Sequence, residues 1–298
     1  MPLAVRLCFR GMTIELRHLR AFLAIAEAGT ITRAAARLHL TQPALSRTLR
    51  QLEDHLGARL VDRSTHHLEL TPEGRTFRGR AQAALSAVET ALDPRGLTNR
   101  PLRLGHTWAA LGDHTVPLLR RWDETHPGIP LELLRVDDRT AGLTQGKVDA
   151  ALLRGAVTSP GLRTEPLLSE TRVVVMPADS PLAELPEVTL ADLADRPIAL
   201  NTVSGTTTMD LWPPAARPVA TIEVTNTDEW LMVIAAGRAV GVSTSATPSN
   251  HMHPSLVYRP LADAPTVPVV LAWREGLGHP ALPDLVALAH RILATGKP

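Results

Sequence analysis

The sequence predicts a multidomain protein of mixed α+β and α/β class, in which a winged helix-turn-helix, one long helix and a larger α/β domain follow one another. Three observations support this prediction. Short helical patterns with capping residues succeed one another up to residue 56, a longer helical pattern follows Pro72, and short apolar strands alternate with helical stretches beyond Arg100. With 298 residues and 44% hydrophobic content, the chain can bury more than one core.

Composition favours a cytoplasmic protein without a membrane partner. No run of eighteen apolar residues is present, and the opening MPLAVRLCFRG is too short and too charged for a secretory signal. The single cysteine, Cys8, excludes an internal disulfide. It lies upstream of Met12, where the patterned sequence begins and which is a candidate start of the native protein.

The charges are divided unevenly along the chain. The net charge is only +1, yet residues 12–92 carry eleven arginines against eight acidic residues, and the residues after 92 carry eighteen basic against twenty-two acidic. A basic N-terminal part and an acidic remainder fit a phosphate-binding surface confined to one domain. Many ordinary domains carry a similar surplus, so the charge by itself assigns no function.

Three helices are predicted before residue 57. The first spans Leu16 to Ala28, where apolar residues recur at intervals of three and four, and Gly29 ends it. The second is a short helix that Thr32 caps and that continues through Leu38. The third begins at Thr41-Gln42-Pro43, with Thr41 as N-cap and proline in the first turn, and runs to about His55.

The third helix has two faces. Its apolar stripe consists of Leu45, Leu49, Leu52 and Leu56, and the opposite face carries Gln42, Pro43, Ser46, Arg47 and Arg50. A recognition helix in the DNA major groove needs such a polar and basic face. An amphipathic helix with a merely solvated face is the alternative. The short capped helix and tight turn before it favour the recognition helix.

A small hairpin is predicted after Gly57. Residues 59–64 and 67–71 alternate apolar and polar side chains across Ser64-Thr65-His66. Such a hairpin would form a wing beside the recognition helix. Arg63 at its base would then contact phosphate in the adjacent groove, although a surface arginine without that role fits the sequence nearly as well.

The long helical pattern beyond Pro72 has the spacing of a coiled coil. Apolar residues recur at intervals of four, three, four and three, at Phe77, Ala81, Ala84, Val88 and Ala91. This seam would pair with its copy in a second subunit or pack on its own domain. Residues 93–96, Asp-Pro-Arg-Gly, end the helix as a hinge.

Residues 16–74 closely resemble the N-terminal domain of LysR-type transcriptional regulators. The most specific matches are residues 34–38, 41–46 and 70–74, that is AAARL, TQPALS and LTPEG. The resemblance implies a winged helix-turn-helix at 12–70, a dimerising linker helix at 71–93 and a hinge at 94–100. It also implies DNA contacts at Thr32, Thr41, Gln42, Pro43, Ser46, Arg47, Arg50 and Arg63.

The same resemblance implies partners. Two recognition helices in a dimer would read double-stranded DNA as an interrupted palindrome, with half-sites one helical turn or a multiple apart. The family often forms homotetramers as pairs of dimers, and RNA polymerase is a candidate partner of a promoter-bound regulator.

An α/β domain is predicted beyond Arg100. The first elements are strands at 102–105, 131–136 and 148–153 with a helix at 115–125; a second set lies at 172–176, 197–200, 221–224, 228–236 and 241–244; a strand at 267–273 and a helix at 283–294 close the domain. The pattern is typical of a parallel sheet.

The resemblance continues, more loosely, as a two-lobed α/β effector-binding domain at 101–298. It implies a first lobe at 101–161 and 267–298, a second at 162–266, and a small-molecule effector of unspecified identity in the cleft between them. Polar loops after predicted strands and the family positions give the expected effector-binding residues as Thr107, Trp108, Arg154, Asn201, Thr202, Ser204, Thr206, Asn226, Thr227 and Ser243. Each is also compatible with an ordinary turn, and Trp108 with simple packing.

Enzyme classes find little support. The segment Thr202-Val203-Ser204-Gly205-Thr206 lacks both framing glycines of a hydrolase elbow, and no glycine-rich nucleotide loop is present. The pairs His66-His67 and His251-Met252-His253 have no ligand cluster at metal spacing. The sequence therefore predicts a small-molecule-responsive DNA-binding transcription regulator with no catalytic residues, no metal and no cofactor. The alternative is an α/β small-molecule-binding protein or enzyme whose N-terminal helices only dimerise.

Overall fold

The computed structural model describes residues 14–62, 68–92, 100–276 and 278–295. Cys8, Met12 and Arg63 and nearly all of the predicted hinge at 94–100 lie outside the described residues. Packing divides the chain into two compact units, one made by residues 1–93 with 144–146 and the other by the remainder.

The N-terminal unit contains three short helices, a two-stranded ribbon and a long helix. These elements are α1 (Leu16–Ala28), α2 (Ile31–Arg37), α3 (Gln42–Leu56), β1 (Val61–Asp62), β2 (Glu69–Leu70) and α4 (Pro72–Leu92). The strands β1 and β2 pair antiparallel. The winged helix-turn-helix and the long helix predicted from the sequence are thus confirmed.

The start of α2 corrects one prediction. Thr30, not Thr32, is the N-cap, and its hydroxyl oxygen accepts a hydrogen bond from the backbone N–H of Arg33 at 3.3 Å. The sequence Thr-Ile-Thr offers two caps two residues apart. The helix begins at the earlier one because Ile31 then packs against the core from the first helical position. The start of α3 agrees with the sequence, since Thr41 caps it by accepting from the N–H of Ala44.

The core of this unit fixes which face of α3 points outward. Leu45, Leu49 and Leu52 are fully buried against α1, whose Phe22 and Ile25 have no exposed surface. Leu56, expected to extend the stripe, is 41% exposed. The buried stripe therefore ends one turn before the helix does.

A buried carboxylate connects α3 to the wing. The Oε1 atom of Glu53 accepts hydrogen bonds from the backbone N–H of Leu60 at 2.8 Å and of Val61 at 3.3 Å. The helix α4 then begins directly against this strand. A Cβ atom added to Gly74 would lie 2.0 Å from the carbonyl oxygen of Leu60, so only glycine permits the approach.

The coiled-coil pattern of α4 is divided between two environments. Phe77 meets Phe22 edge to face, with ring centroids 5.3 Å apart, and Ala81 is buried in the same core. The first half of the predicted seam therefore packs on its own domain. Farther along the helix Ala84 and Ala91 are exposed.

The C-terminal unit contains two five-stranded sheets. The first has the order β4-β3-β5-β12-β6, with β3 (Leu102–His106), β4 (Leu131–Arg135), β5 (Ala150–Arg154), β6 (Leu162–Glu170) and β12 (Val267–Arg274). The helices α5 (Thr115–Thr125) and α8 (Leu282–Thr295) cover it, and Leu118, Trp122 and Leu285 lie in its core.

The second sheet has the order β11-β7-β10-β8-β9. Its strands are β7 (Arg172–Pro177), β8 (Ile198–Asn201), β9 (Thr221–Val224), β10 (Val240–Thr244) and β11 (Leu256–Pro260). The helix α6 (Thr227–Ala235) packs on one face, and a single turn, α7 (Thr247–Asn250), follows β10. The two sheets confirm the two-lobed α/β domain.

Two expectations about these lobes were wrong. The strand β6 pairs antiparallel with β12 in the first lobe, so the second lobe begins after Glu170 and not at Leu162. Neither sheet is purely parallel, because β12 runs antiparallel to both neighbours and β7 runs antiparallel to β10 and β11. Local patterns specify a strand but not the sheet it joins or its direction.

Within the described residues, no helix is both long and apolar enough to cross a membrane.

Two glycines of α4 give a matched test of the packing between α4 and the wing. We expect Gly79→Ala to stabilise the N-terminal unit by up to about 1 kcal/mol, because alanine is the better helix former and nothing lies within 4 Å of the new Cβ. Gly74→Ala gains the same propensity but overlaps the Leu60 carbonyl. It should lower the free energy of unfolding by roughly 1–3 kcal/mol. Circular dichroism at increasing urea concentration measures both, and equal stabilisation by the two substitutions would contradict the close approach.

Candidate DNA-binding surface and ligand cleft

The outer face of α3 is the candidate DNA-binding surface. Gln42, Pro43, Arg47 and Arg50 are exposed and Ser46 is half-buried. Because Gln42, Ser46 and Arg50 are spaced four residues apart, they form one row along the helix. Thr41 at the N-cap and Thr32 in the first turn of α2 are also exposed.

The arginines of this surface are available to a ligand. In the described part of the chain, the side chains of Arg33, Arg47 and Arg50 make no hydrogen bond or ion pair. By contrast, Arg37 on the same unit is paired with Glu27 at 2.6 Å. Unpaired guanidinium groups beside short polar side chains can meet phosphate oxygens or guanine edges. No placement is assigned to Arg63 because it lies outside the described residues.

The polar loop after β8 forms one wall of the cleft between the lobes. Asn201 holds it: its side-chain oxygen accepts from the N–H of Val203 and of Ser204, both at 3.1 Å, and its amide nitrogen donates to the Ser204 hydroxyl. Gly205 then passes so close to Asn201 that a Cβ atom would lie 2.3 Å from its carbonyl oxygen. The loop conformation therefore depends on these two residues.

A first pocket lies between this loop and the first lobe and contains about 370 Å³ of empty space. Trp108 from the first lobe closes it, while Trp230 lies against the second sheet with its indole N–H donating to the carbonyl of Ala199 at 2.8 Å. Five of the expected effector-binding residues line it: Trp108, Asn201, Thr206, Thr227 and Ser243.

A second pocket lies on the side where the chain crosses between the lobes; we call it the hinge pocket. It contains about 870 Å³ of empty space open to solvent and shares Gly205 and Thr206 with the first pocket. Arg154 and Ser204, two further expected residues, line it.

The remaining expected residues line neither pocket. Asn226 caps α6 by accepting from the N–H of Glu229 at 2.8 Å, and the Thr202 hydroxyl donates to the carbonyl of Val224. Thr107 is buried after β3. Their roles in ligand binding stay predictions.

Two buried arginines organise the hinge pocket. Arg154 forms a bidentate pair with Glu170, with Nε and Nη2 donating at 2.8 and 2.7 Å and both side chains almost fully buried. Its guanidinium carbon lies 5.4 Å from the centroid of the Trp108 ring. Arg172 donates to the Thr207 hydroxyl and to the carbonyls of Thr206 and Pro265, so it ties the loop to the crossing strand. Burial lowers the pKa of Arg172.

Sequence reasoning missed the direct contacts between the lobes. The His251 Nε2 atom lies 3.1 Å from the carbonyl oxygen of Trp108, and the Asn250 side-chain amide donates to the carbonyl of Ala109 at 3.0 Å. An ion pair joins Arg135 to Asp228 across the cleft at 3.4 Å. His251 had drawn notice only as a weak metal ligand. The single turn of α7 that carries Asn250 is too short to leave a periodic signal.

Histidines in the cleft are held uncharged. Burial, with additional repulsion from Arg135 and Arg154, lowers the pKa of His106 to about 4. The pKa of His251 is also lowered, mainly by burial. Among the described residues, no group of three His, Cys, Asp or Glu side chains could hold a metal ion.

Comparison with known proteins adds independent findings. The family model described as "Bacterial regulatory helix-turn-helix protein, lysR family" matches residues 16–75, and the model described as "LysR substrate binding domain" matches residues 95–294. The chain is 30% identical to the Hca operon transcriptional activator HcaR of Escherichia coli (strain K12) over 295 residues, which cover 95% of this chain and 99% of that protein.

Solved structures agree with these matches. Full-length OxyR from Pseudomonas aeruginosa is 26% identical with a TM-score of 0.54, covering 94% of this chain and 95% of that one. CbnR, titled a LysR family transcriptional regulator, is 22% identical with a TM-score of 0.66 and covers 94% and 99%; at this identity the likeness shows the fold alone.

The depressed pKa of His106 predicts an acid-sensitive C-terminal unit. Because the folded pKa of about 4 lies below the ordinary 6.5, the unfolded chain binds this proton more readily, and stability is lost as the pH falls from 6.5 towards 4. At pH 5 the loss should reach about 1–2 kcal/mol after allowance for partial exposure. Urea unfolding followed by tryptophan fluorescence reports this unit alone, since all five tryptophans lie beyond residue 100.

The control for this experiment is a second histidine. We expect His106→Gln to lose less stability than the parent between pH 7 and pH 5, while His253→Gln, at an exposed position, should behave as the parent does. An unchanged pH dependence in His106→Gln would refute the assignment.

Proposed function

The chain belongs to the LysR family of transcriptional regulators, with a helix-turn-helix DNA-binding domain and a substrate-binding domain, and from this premise we propose what it does. It binds a specific promoter sequence through α3, and a small molecule in the cleft of its C-terminal domain alters that binding. The exposed row on α3, with unpaired arginines beside it, is the observation that carries the proposal. No catalytic step and no resident cofactor are part of it.

We assign the contacts by side-chain reach. Gln42, Ser46 and Arg50 form the row that would face base edges, because amide, hydroxyl and guanidinium groups pair with adenine and guanine in the major groove. Thr41, Pro43 and Arg47 flank the row, and Thr32 lies at the start of the neighbouring helix. These positions, with Arg63 in the wing, would contact the backbone and fix the register.

We also propose that the chain acts as a dimer through the outer half of α4, and as a tetramer of two such dimers. Ala84, Ala91 and Leu92 are exposed there, and Leu92 keeps 75% of its surface in contact with solvent. Small residues allow two helices to approach closely. Such a dimer would present two copies of α3 to an interrupted palindrome, and RNA polymerase is the further partner proposed at the promoter.

The DNA proposal is tested by gel shift with the DNA immediately upstream of the gene and random DNA of equal length as competitor. We expect retention of the upstream fragment at moderate salt. Arg50→Ala should weaken specific binding roughly tenfold to a hundredfold, and more than it weakens non-specific binding, because a base contact is lost. Arg17→Ala removes an exposed arginine of α1 that pairs with Glu15 and should have little effect. Equal retention of random DNA, or equal loss in both variants, would overturn the assignment.

Light scattering tests the dimer. We expect at least twice the chain mass of 32.1 kDa at micromolar concentration. The double variant Ala84→Glu/Ala91→Glu should dissociate because it places charges in the proposed seam. Ala87→Glu adds one charge at an exposed position beside the seam and should leave the mass unchanged. A monomeric parent chain would rule the dimer out.

A further inference from the structure

The hinge pocket differs from the rest of the cleft in its charge. Three arginines line it, Arg139, Arg154 and Arg172, and no aspartate or glutamate is among its lining residues. Hydroxyl groups of threonine and serine make up much of the remaining polar surface. The first pocket has no charged lining residue, although the two pockets adjoin at Gly205 and Thr206.

Arg154 is held in place but not fully used. Glu170 accepts from its Nε and Nη2 atoms, while Nη1 is buried and has no hydrogen-bond partner among the described residues. The side chain is only 1% exposed. A buried donor without an acceptor is unfavourable, so a ligand oxygen that reaches Nη1 would recover a charge-assisted hydrogen bond.

The other two arginines leave the pocket cationic. Every acceptor of Arg172 is an uncharged carbonyl or hydroxyl oxygen, so its positive charge is not offset by a carboxylate. Arg139 is exposed, and its side chain makes no ion pair within the described ranges. The neighbouring Asp138 carboxylate accepts from the amides of Thr140 and Gly142. A small anion would compensate the charge of the pocket.

We infer that the hinge pocket binds a small oxyanion, such as a carboxylate, phosphate or sulfate, and that the effector of this chain therefore carries such a group. The planar guanidinium matches the geometry of these anions. Because the two pockets adjoin, one ligand can place its anionic end among the arginines and its less polar part between Trp108 and Trp230. The anion site stands on the geometry alone, whereas its assignment to the effector rests on the proposed function.

The geometry also supplies a readout. Arg154 lies over the Trp108 ring, so an anion that binds Arg154 changes the electrostatic field at that indole. The N-terminal unit contains no tryptophan. A change of intrinsic fluorescence on anion binding therefore comes from the C-terminal unit, and Trp108→Phe should remove most of the change while leaving the binding in place.

The test titrates the full chain with sodium sulfate, inorganic phosphate and succinate at ionic strength held constant with chloride, and with succinamide as the neutral counterpart of succinate. Calorimetry and fluorescence should show saturable binding of the anions and none of succinamide. Arg139→Gln should weaken binding about tenfold, since one charge-assisted hydrogen bond is lost. Arg121→Gln, an exposed arginine of α5 away from the pocket, should not.

A second variant addresses the buried pair. Arg154→Gln alone would leave Glu170 buried without its partner, so Arg154→Gln/Glu170→Gln removes both charges together. We expect it to fold and to lose anion binding. If none of the three anions binds the parent chain, or if binding survives in both this variant and Arg139→Gln, the anion site is refuted.

The DNA arm separates this inference from the proposed function. Retention of promoter DNA without any anion binding would leave the regulator intact and refute the anion site. Anion binding at the arginines that leaves the gel shift of the promoter fragment unchanged would confirm the site and refute its assignment to the effector. Anion binding that changes the gel shift would support both.

Discussion

The buried pair between Arg154 and Glu170 is the interaction on which the ligand cleft depends. The two residues lie on strands either side of β12, opposite Val269 and Val267, and Glu170 is the last residue before the chain passes into the second lobe. Removing either charge alone would leave the other desolvated and unpaired, which is costly. The pair therefore fixes the crossing point, and with it the position of the guanidinium over Trp108.

The crossing point connects the two pockets to the contacts between the lobes. Trp108 closes the first pocket with its ring, while its carbonyl oxygen meets His251 of the second lobe. The Arg172 side chain ties the loop after β8 to the second crossing segment at Pro265. A ligand between the lobes would touch groups that also hold the lobes together. Such shared contacts give a bound molecule a differential effect on lobe arrangement, which any effector needs in order to act.

In the N-terminal unit, close packing has the corresponding role. Small residues at the contacts, Ala34, Ala35 and Gly74, let helices and strand approach until only one orientation of α3 buries Leu45, Leu49 and Leu52. The polar row on the opposite side is exposed as a consequence. The surface that would read DNA is thus a product of core packing and has no separate scaffold.

Local chemistry in the sequence determined the elements of this protein and the identity of its domains. Caps such as Thr41, helical periodicity in α3 and the alternation of strand and helix beyond Arg100 act over a few residues, so the sequence alone reveals them. Tertiary structure decided the rest: that Thr30 caps α2, that β6 joins the first lobe, that half of the α4 seam packs inward, and that Arg154, Arg172 and Arg139 meet in one pocket. These outcomes depend on contacts between residues far apart in the chain, whose energies no local pattern records.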